Sequence, residues 1–143
     1  MHKGFSLLEL IVVLGIIFIF ATLSFGTYKF YQNKSPLDAA VSETVAALRR
    51  AEFQAQSNSG DQTWGVKLQT TGGTIFQGAN FSGRTISADE KFELSPNLQF
   101  SGSTEIIFSK LTGFPVGGAT SVTLTLNNVN KQININSKGA ISY

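Results

Sequence analysis

From Phe5 to Phe25 the chain reads FSLLELIVVLGIIFIFATLSF, an apolar run interrupted by a single charge. As an α-helix, about 21 residues rising 1.5 Å each give roughly 31 Å, the thickness of a bilayer's hydrocarbon core. The run therefore predicts a membrane-spanning helix. Only Met1, His2, Lys3 and Gly4 precede it. Lys3 favours keeping that end in the cytoplasm and the rest of the chain outside, although Lys29 and Lys34 beyond the far end weaken the asymmetry. The single charge in the run is Glu9. A carboxylate at that depth is costly unless it is paired or protonated. Either Glu9 lies close enough to the helix start to reach the interface, or it has a partner.

Composition narrows what the remainder can do. With 143 residues there is room for one ordinary domain. Cysteine is absent, so disulfides, thiolate metal sites and Cys nucleophiles are excluded, and the sole histidine is His2, which removes His-based triads, zinc centres and haem ligation from the body of the chain. Charged residues make up 14%, and the net charge is +2 with basic residues scattered apart from Arg49-Arg50. Such a surface offers no electrostatic footprint for nucleic acid. No catalytic, cofactor-binding or metal-binding residues are expected. The balance points to a secreted or surface-exposed structural protein.

Beyond the run, residues 27–33 are polar and aromatic, with Tyr28 and Tyr31 placed as interface anchors, and Ser35-Pro36 either caps a new helix or marks a kink in one long helix. Gly26 is a second candidate break. Leu37, Val41, Thr44, Val45, Leu48 and Ala55 recur at three- and four-residue intervals and predict an amphipathic helix lying on a globular domain. The segment 57–61 ends it. From there short alternating runs predict strands near 63–70, 74–79, 84–87, 91–94, 97–101, 104–109, 120–127, 130–135 and 139–142. The clearest pair sets Val122, Leu124 and Leu126 against Ile133 and Ile135 around a turn at 127–130, within an antiparallel meander with one apolar face. Trp64, Phe76, Phe81, Phe100 and Phe108 read as strand core. The glycine-rich stretch 111–119 reads as a structural loop, and the acidic cluster Asp89, Glu90 and Glu93 as solvated rather than calcium-binding.

The heptapeptide Gly4-Phe5-Ser6-Leu7-Leu8-Glu9-Leu10 resembles the processing signature of type IV pilins and of the pseudopilins of type II secretion. The resemblance covers roughly the first 30 residues. It implies cleavage between Gly4 and Phe5 by a prepilin peptidase, methylation of the new Phe5 amine, and pairing of that amine with Glu9 of an adjoining subunit. It also implies a single-pass protein of the bacterial inner membrane, with its C-terminal domain outside the cytoplasm, that polymerises with other pilin or pseudopilin subunits. The implied fold is α+β: a long N-terminal helix, membrane-spanning in its first half and amphipathic in its second, packed on an antiparallel β-sheet domain. The corresponding organisation is a leader at 1–4, a transmembrane and assembly helix at 5–26, an amphipathic helix at 27–57 and a β-rich domain at 58–143. The order of the later segments, with Val66-Lys67-Leu68, Phe108 ahead of Gly113 and a closing Lys138-Gly139, resembles the GspH/FimT group of minor pseudopilins. Group members that take up DNA are expected to carry a basic tail, whereas this sequence closes on Ile141-Ser142-Tyr143 straight after a strand, so nucleic acid is not an expected partner.

Two rival readings remain open on the residues themselves. The same start, with Ser24-Phe25-Gly26 as a cleavage site, also fits an ordinary secretory signal peptide releasing a protein that begins at Thr27. An anchored β-domain acting as an adhesin or as a substrate- or DNA-binding tip module shares every feature of the anchor. A secreted enzyme is disfavoured by the missing histidine and cysteine.

Overall fold

The computed structural model describes the backbone of residues 7–143 and the side-chain surroundings of 7–21 and 36–143. Contacts divide the chain into a unit at 1–34 and a second at 35–143. Helix α1 is assigned over Leu7–Gln56 and contains Pro36. The helical stretch therefore has no separate start at Ser35 and no interruption at Gly26, the two breaks the sequence suggested. Proline costs an interior helix one hydrogen bond, which flanking packing can offset. Leu37, directly after it, is fully buried.

In the first unit every described side chain from Leu7 to Ala21 is exposed, including Leu7 at 77% and Phe18 at 75%. So largely apolar and exposed a helix is favoured by surroundings of lipid or other protein.

The second unit carries the core. Leu37, Ala40, Val41, Thr44, Val45, Ala47, Leu48, Ala51 and Ala55 form the buried face of α1. This is the predicted stripe widened by three alanines, whose small side chains let the helix approach the strands closely. The Thr44 hydroxyl donates to the Ala40 carbonyl at 2.8 Å, which satisfies the one buried polar group on that face. After Gln56 the chain turns through Asn58, Gly60 and Asp61, all at positive φ.

Eight strands follow: β1 (Trp64–Gln69), β2 (Gly72–Gln77), β3 (Glu90–Glu93), β4 (Gln99–Gly102), β5 (Glu105–Phe108), β6 (Thr120–Leu126), β7 (Val129–Ile135) and β8 (Ile141–Ser142). They form two antiparallel sheets, ordered β3-β2-β1-β5 and β4-β6-β7-β8. The predicted pairing of Val122 with Ile133 is present, but the turn is tighter than 127–130, consisting of Asn127 and Asn128 alone. Both have positive φ, as a two-residue hairpin requires, and asparagine tolerates that conformation better than most residues. Residues from both sheets join the helix face in one hydrophobic cluster, among them Val66, Ile75, Phe108, Leu124 and Ile133.

Three expectations are corrected. Residues 84–87 form no strand; Ile86–Ala88 is a 3-10 turn. The cause is local, because the Arg84 guanidinium binds the Asp89 carboxylate at 2.8 Å and the Phe81 carbonyl at 2.8 Å, folding the segment on itself. Phe81 consequently sits in a loop, edge-on to Phe76 at 5.5 Å with Arg84 stacked 3.9 Å above it, rather than in a strand. The last strand begins only at Ile141, since Asn136 Oδ1 accepts from the N–H groups of Lys138 and Ala140 and holds 136–140 as a turn.

That turn approaches α1 at Glu52: a Cβ placed on Gly139 would meet both Glu52 Oε1 and the Gly113 carbonyl. Burial pushes the Glu52 carboxyl above its ordinary value of 4.5, with Arg49 opposing part of the rise. The folded chain thus holds this proton more tightly than the unfolded chain. The stability Glu52 contributes is complete below about pH 4.5 and is lost as pH rises through the elevated value. Glu52→Gln is expected to remove that loss, so its melting temperature relative to the parent should climb between about pH 4 and pH 7. A constant difference across that range in thermal melts would show that Glu52 does not titrate abnormally.

Candidate functional site

Of the three residues expected to carry function, Gly4 and Phe5 lie outside the described residues. Glu9 lies in the first turn of α1 and is exposed among exposed apolar neighbours. Leu8, Leu10, Val12 and Val13 beside it are all exposed by 46% or more. Among the described residues no helix is long and apolar enough to cross a membrane. Of the predicted span at 5–26, the ends at 5–6 and the side chains of 22–26 fall outside the described set. The arrangement of 7–21 is that of a contact surface: one carboxylate on an otherwise apolar helix whose described side chains are all exposed.

The other candidates resolve into structure. Asp89 is held by Arg84, and Glu90 by Arg50 at 3.0 Å, so the acidic cluster is split between two cations. Among the described residues no group of acidic or histidine side chains is arranged to hold a metal ion. The same Arg50–Glu90 pair accounts for half of Arg49-Arg50. In the loop 111–119, the Leu111 N–H donates to the Ala55 carbonyl at 2.8 Å, closing the end of α1, and the Phe108–Pro115 bridge ties the loop to β5. A surface hollow of about 540 Å³ beside β8 is lined by Thr120, Ser121, Asn134, Asn136 and Ser142 and holds no titratable side chain.

Sequence reasoning did not anticipate the following features. Lys131 on β7 pairs with Asp38 near the start of the buried helix face at 3.0 Å, a contact no local pattern announces. Leu111 adopts φ 70° while remaining 63% exposed, close to exposed Phe114 and Val116.

Residues 1–25 match the family described as the prokaryotic N-terminal methylation motif. Over 81 residues the chain is 35% identical to Fimbrial protein Q of Moraxella bovis, an alignment covering 51% of this chain and 52% of that protein. The chain thus spans about half the length of the curated relative it matches. No solved structure matches it.

Proposed function

We propose that this chain, which is type IV pilin-like, is a structural subunit of a pilus or type II secretion-like filament, inserted in the inner membrane and processed between Gly4 and Phe5. The carrying observation is the methylation motif over 1–25, joined to a described stretch, 7–21, whose every side chain is exposed. The motif supplies the processing logic. Gly4 offers a scissile bond without a side chain, and the freed Phe5 amine keeps its positive charge after one methylation. The exposed helix supplies the assembly logic, since burying such a surface is favourable by roughly 25 cal/mol for each Å² removed from water. Lipid covers it before assembly, and neighbouring subunits cover it afterwards. Glu9 then faces the Phe5 amine of the next subunit. The second unit, with its two sheets and continuous core, is the part displayed outside, in the manner of a minor pilin or pseudopilin of the GspH/FimT type.

Intact mass of the protein extracted from membranes tests the processing step. The expected species begins at Phe5 and carries one added methyl group. A species beginning at Thr27 would establish the signal-peptide reading, and an uncut chain beginning at Met1 would remove the peptidase from the scheme.

A further inference from the structure

Both sheets turn one face to the shared core, and they differ in what they turn away from it. In the sheet β3-β2-β1-β5, register sets Lys67 beside Glu105 on the outer face, paired at 3.3 Å, with exposed Lys91 two strands away in the same row. That face is charged. In the other sheet Val122, Leu124, Ile133 and Ile135 fill the buried side, so the residues alternating with them point outward. Ser101, Thr123 and Gln132 stand opposite one another in one row across β4, β6 and β7. Gln99, Thr125 and Asn130 form the next row. No charge and no large apolar side chain interrupts either.

The two rows make a regular grid. Side chains directly opposite each other are about 5 Å apart, and successive ones along a strand about 7 Å. Each of the six carries a donor and an acceptor, as hydroxyl or amide. Gln99, Ser101, Asn130 and Gln132 are exposed, and Thr123 and Thr125 are half-buried. Among the described residues none of the six side chains spends its hydrogen-bonding groups on another part of the chain.

The partner follows from what the face lacks. Without cations it has no hold on phosphate or carboxylate polymers, and without carboxylates none on basic segments. Without aromatic or aliphatic anchors it lacks the centre that a protein interface is built around. A partner whose surface repeats small neutral groups, each both donor and acceptor, complements it, and the hydroxyls of an uncharged polysaccharide are such a surface. Each hydrogen bond gains little in water, because it replaces a bond to solvent. Affinity then comes from repetition, with a polymer of like sugars meeting many copies of the face.

We propose that the outer face of β4, β6 and β7 binds a neutral polysaccharide through these two rows. The filament reading above enters only in placing the face outside the cytoplasm in many copies. Full-length chain extracted in detergent and coupled densely to beads supplies the repetition without a filament. The probes are labelled dextran, hydroxyethyl cellulose and galactomannan, with anionic alginate for comparison. At least one neutral polymer should be retained about tenfold more than alginate, equally at about 0.05 and 0.5 M NaCl, since no ion pair is involved. Thr123→Ala/Asn130→Ala/Gln132→Ala should lower that retention at least about tenfold at an unchanged melting temperature, whereas Lys91→Ala on the other sheet should leave it intact. Should the triple variant melt earlier, Thr123→Ala and Gln132→Ala singly carry the test, each with a severalfold loss. Retention of none of the three neutral polymers, equal retention of alginate, loss in salt, or parental retention by the alanine variants would each overturn the proposal. Self-association of the parent that the triple variant abolishes would make the face a contact between copies and overturn it as well. Absence of the chain from sheared filaments would overturn the filament reading alone.

Discussion

Val45→Asp is expected to cost about 3 kcal/mol or more of folding stability, measured in a fragment beginning at residue 27. Val45 is 3% exposed and lies on the buried face of α1 with Val41 and Leu48, within the cluster that includes Phe108 and Leu124. An aspartate there loses the apolar contacts and places a carboxylate within an apolar cluster. The second unit has its own core, which is the reason for expecting the fragment to fold without the apolar run. For a domain of this size the melting temperature should fall by on the order of 15 °C. Ala46→Asp, one residue along and exposed, is the control and should cost only the difference in helix propensity, about 0.7 kcal/mol. Equal melting temperatures for the two variants would mean that the face carrying Val45 is open in solution and serves contacts with other subunits instead.

How far the fold was legible follows the range of the interactions. The buried helix face was readable because Leu37, Val41, Val45 and Leu48 mark it by period, and the β6–β7 hairpin because two asparagines punctuate two alternating runs. Ala40, Ala47 and Ala51 were missed, since alanine contributes little to an apolar period and declares itself only when the helix is seated. Pro36 left two readings open, the start of a new helix or a kink in one long helix, and it lies inside the assigned helix Leu7–Gln56. The division into two sheets was invisible, because alternation states which side of a strand is buried and never which strand lies beside it. The same limit hid the Asp38–Lys131 and Arg50–Glu90 pairs, whose members are far apart in sequence. Around Gly4, Phe5 and Glu9 the situation reverses. Their spacing carries the whole reading, and the second unit adds no chemistry to it.

Glu9→Leu is expected to leave membrane insertion and cleavage intact while lowering incorporation into filaments at least about tenfold. The substitution keeps the helix apolar and leaves the Gly4-Phe5 junction untouched, so any loss arises after processing. In the proposed assembly the Glu9 carboxylate and the Phe5 amine of the next subunit meet among apolar helices, where charges interact far more strongly than in water. A subunit without the carboxylate leaves that amine buried and unpaired, and breaking one side of a buried pair typically costs about 3–5 kcal/mol. A mis-stepped neighbour pays the same penalty, which makes the pair a selector of axial register as well as a source of affinity. Glu9→Gln separates charge from shape: nearly isosteric and neutral, it should behave like Glu9→Leu if the ion pair sets the register, and like the parent if a hydrogen bond suffices. The measurement is the amount of each processed variant in sheared filaments relative to the membrane fraction of the same cells. Wild-type ratios for both variants would eliminate the ion pair, and assembly would then rest on the apolar surface of 7–21 and on contacts of the second unit.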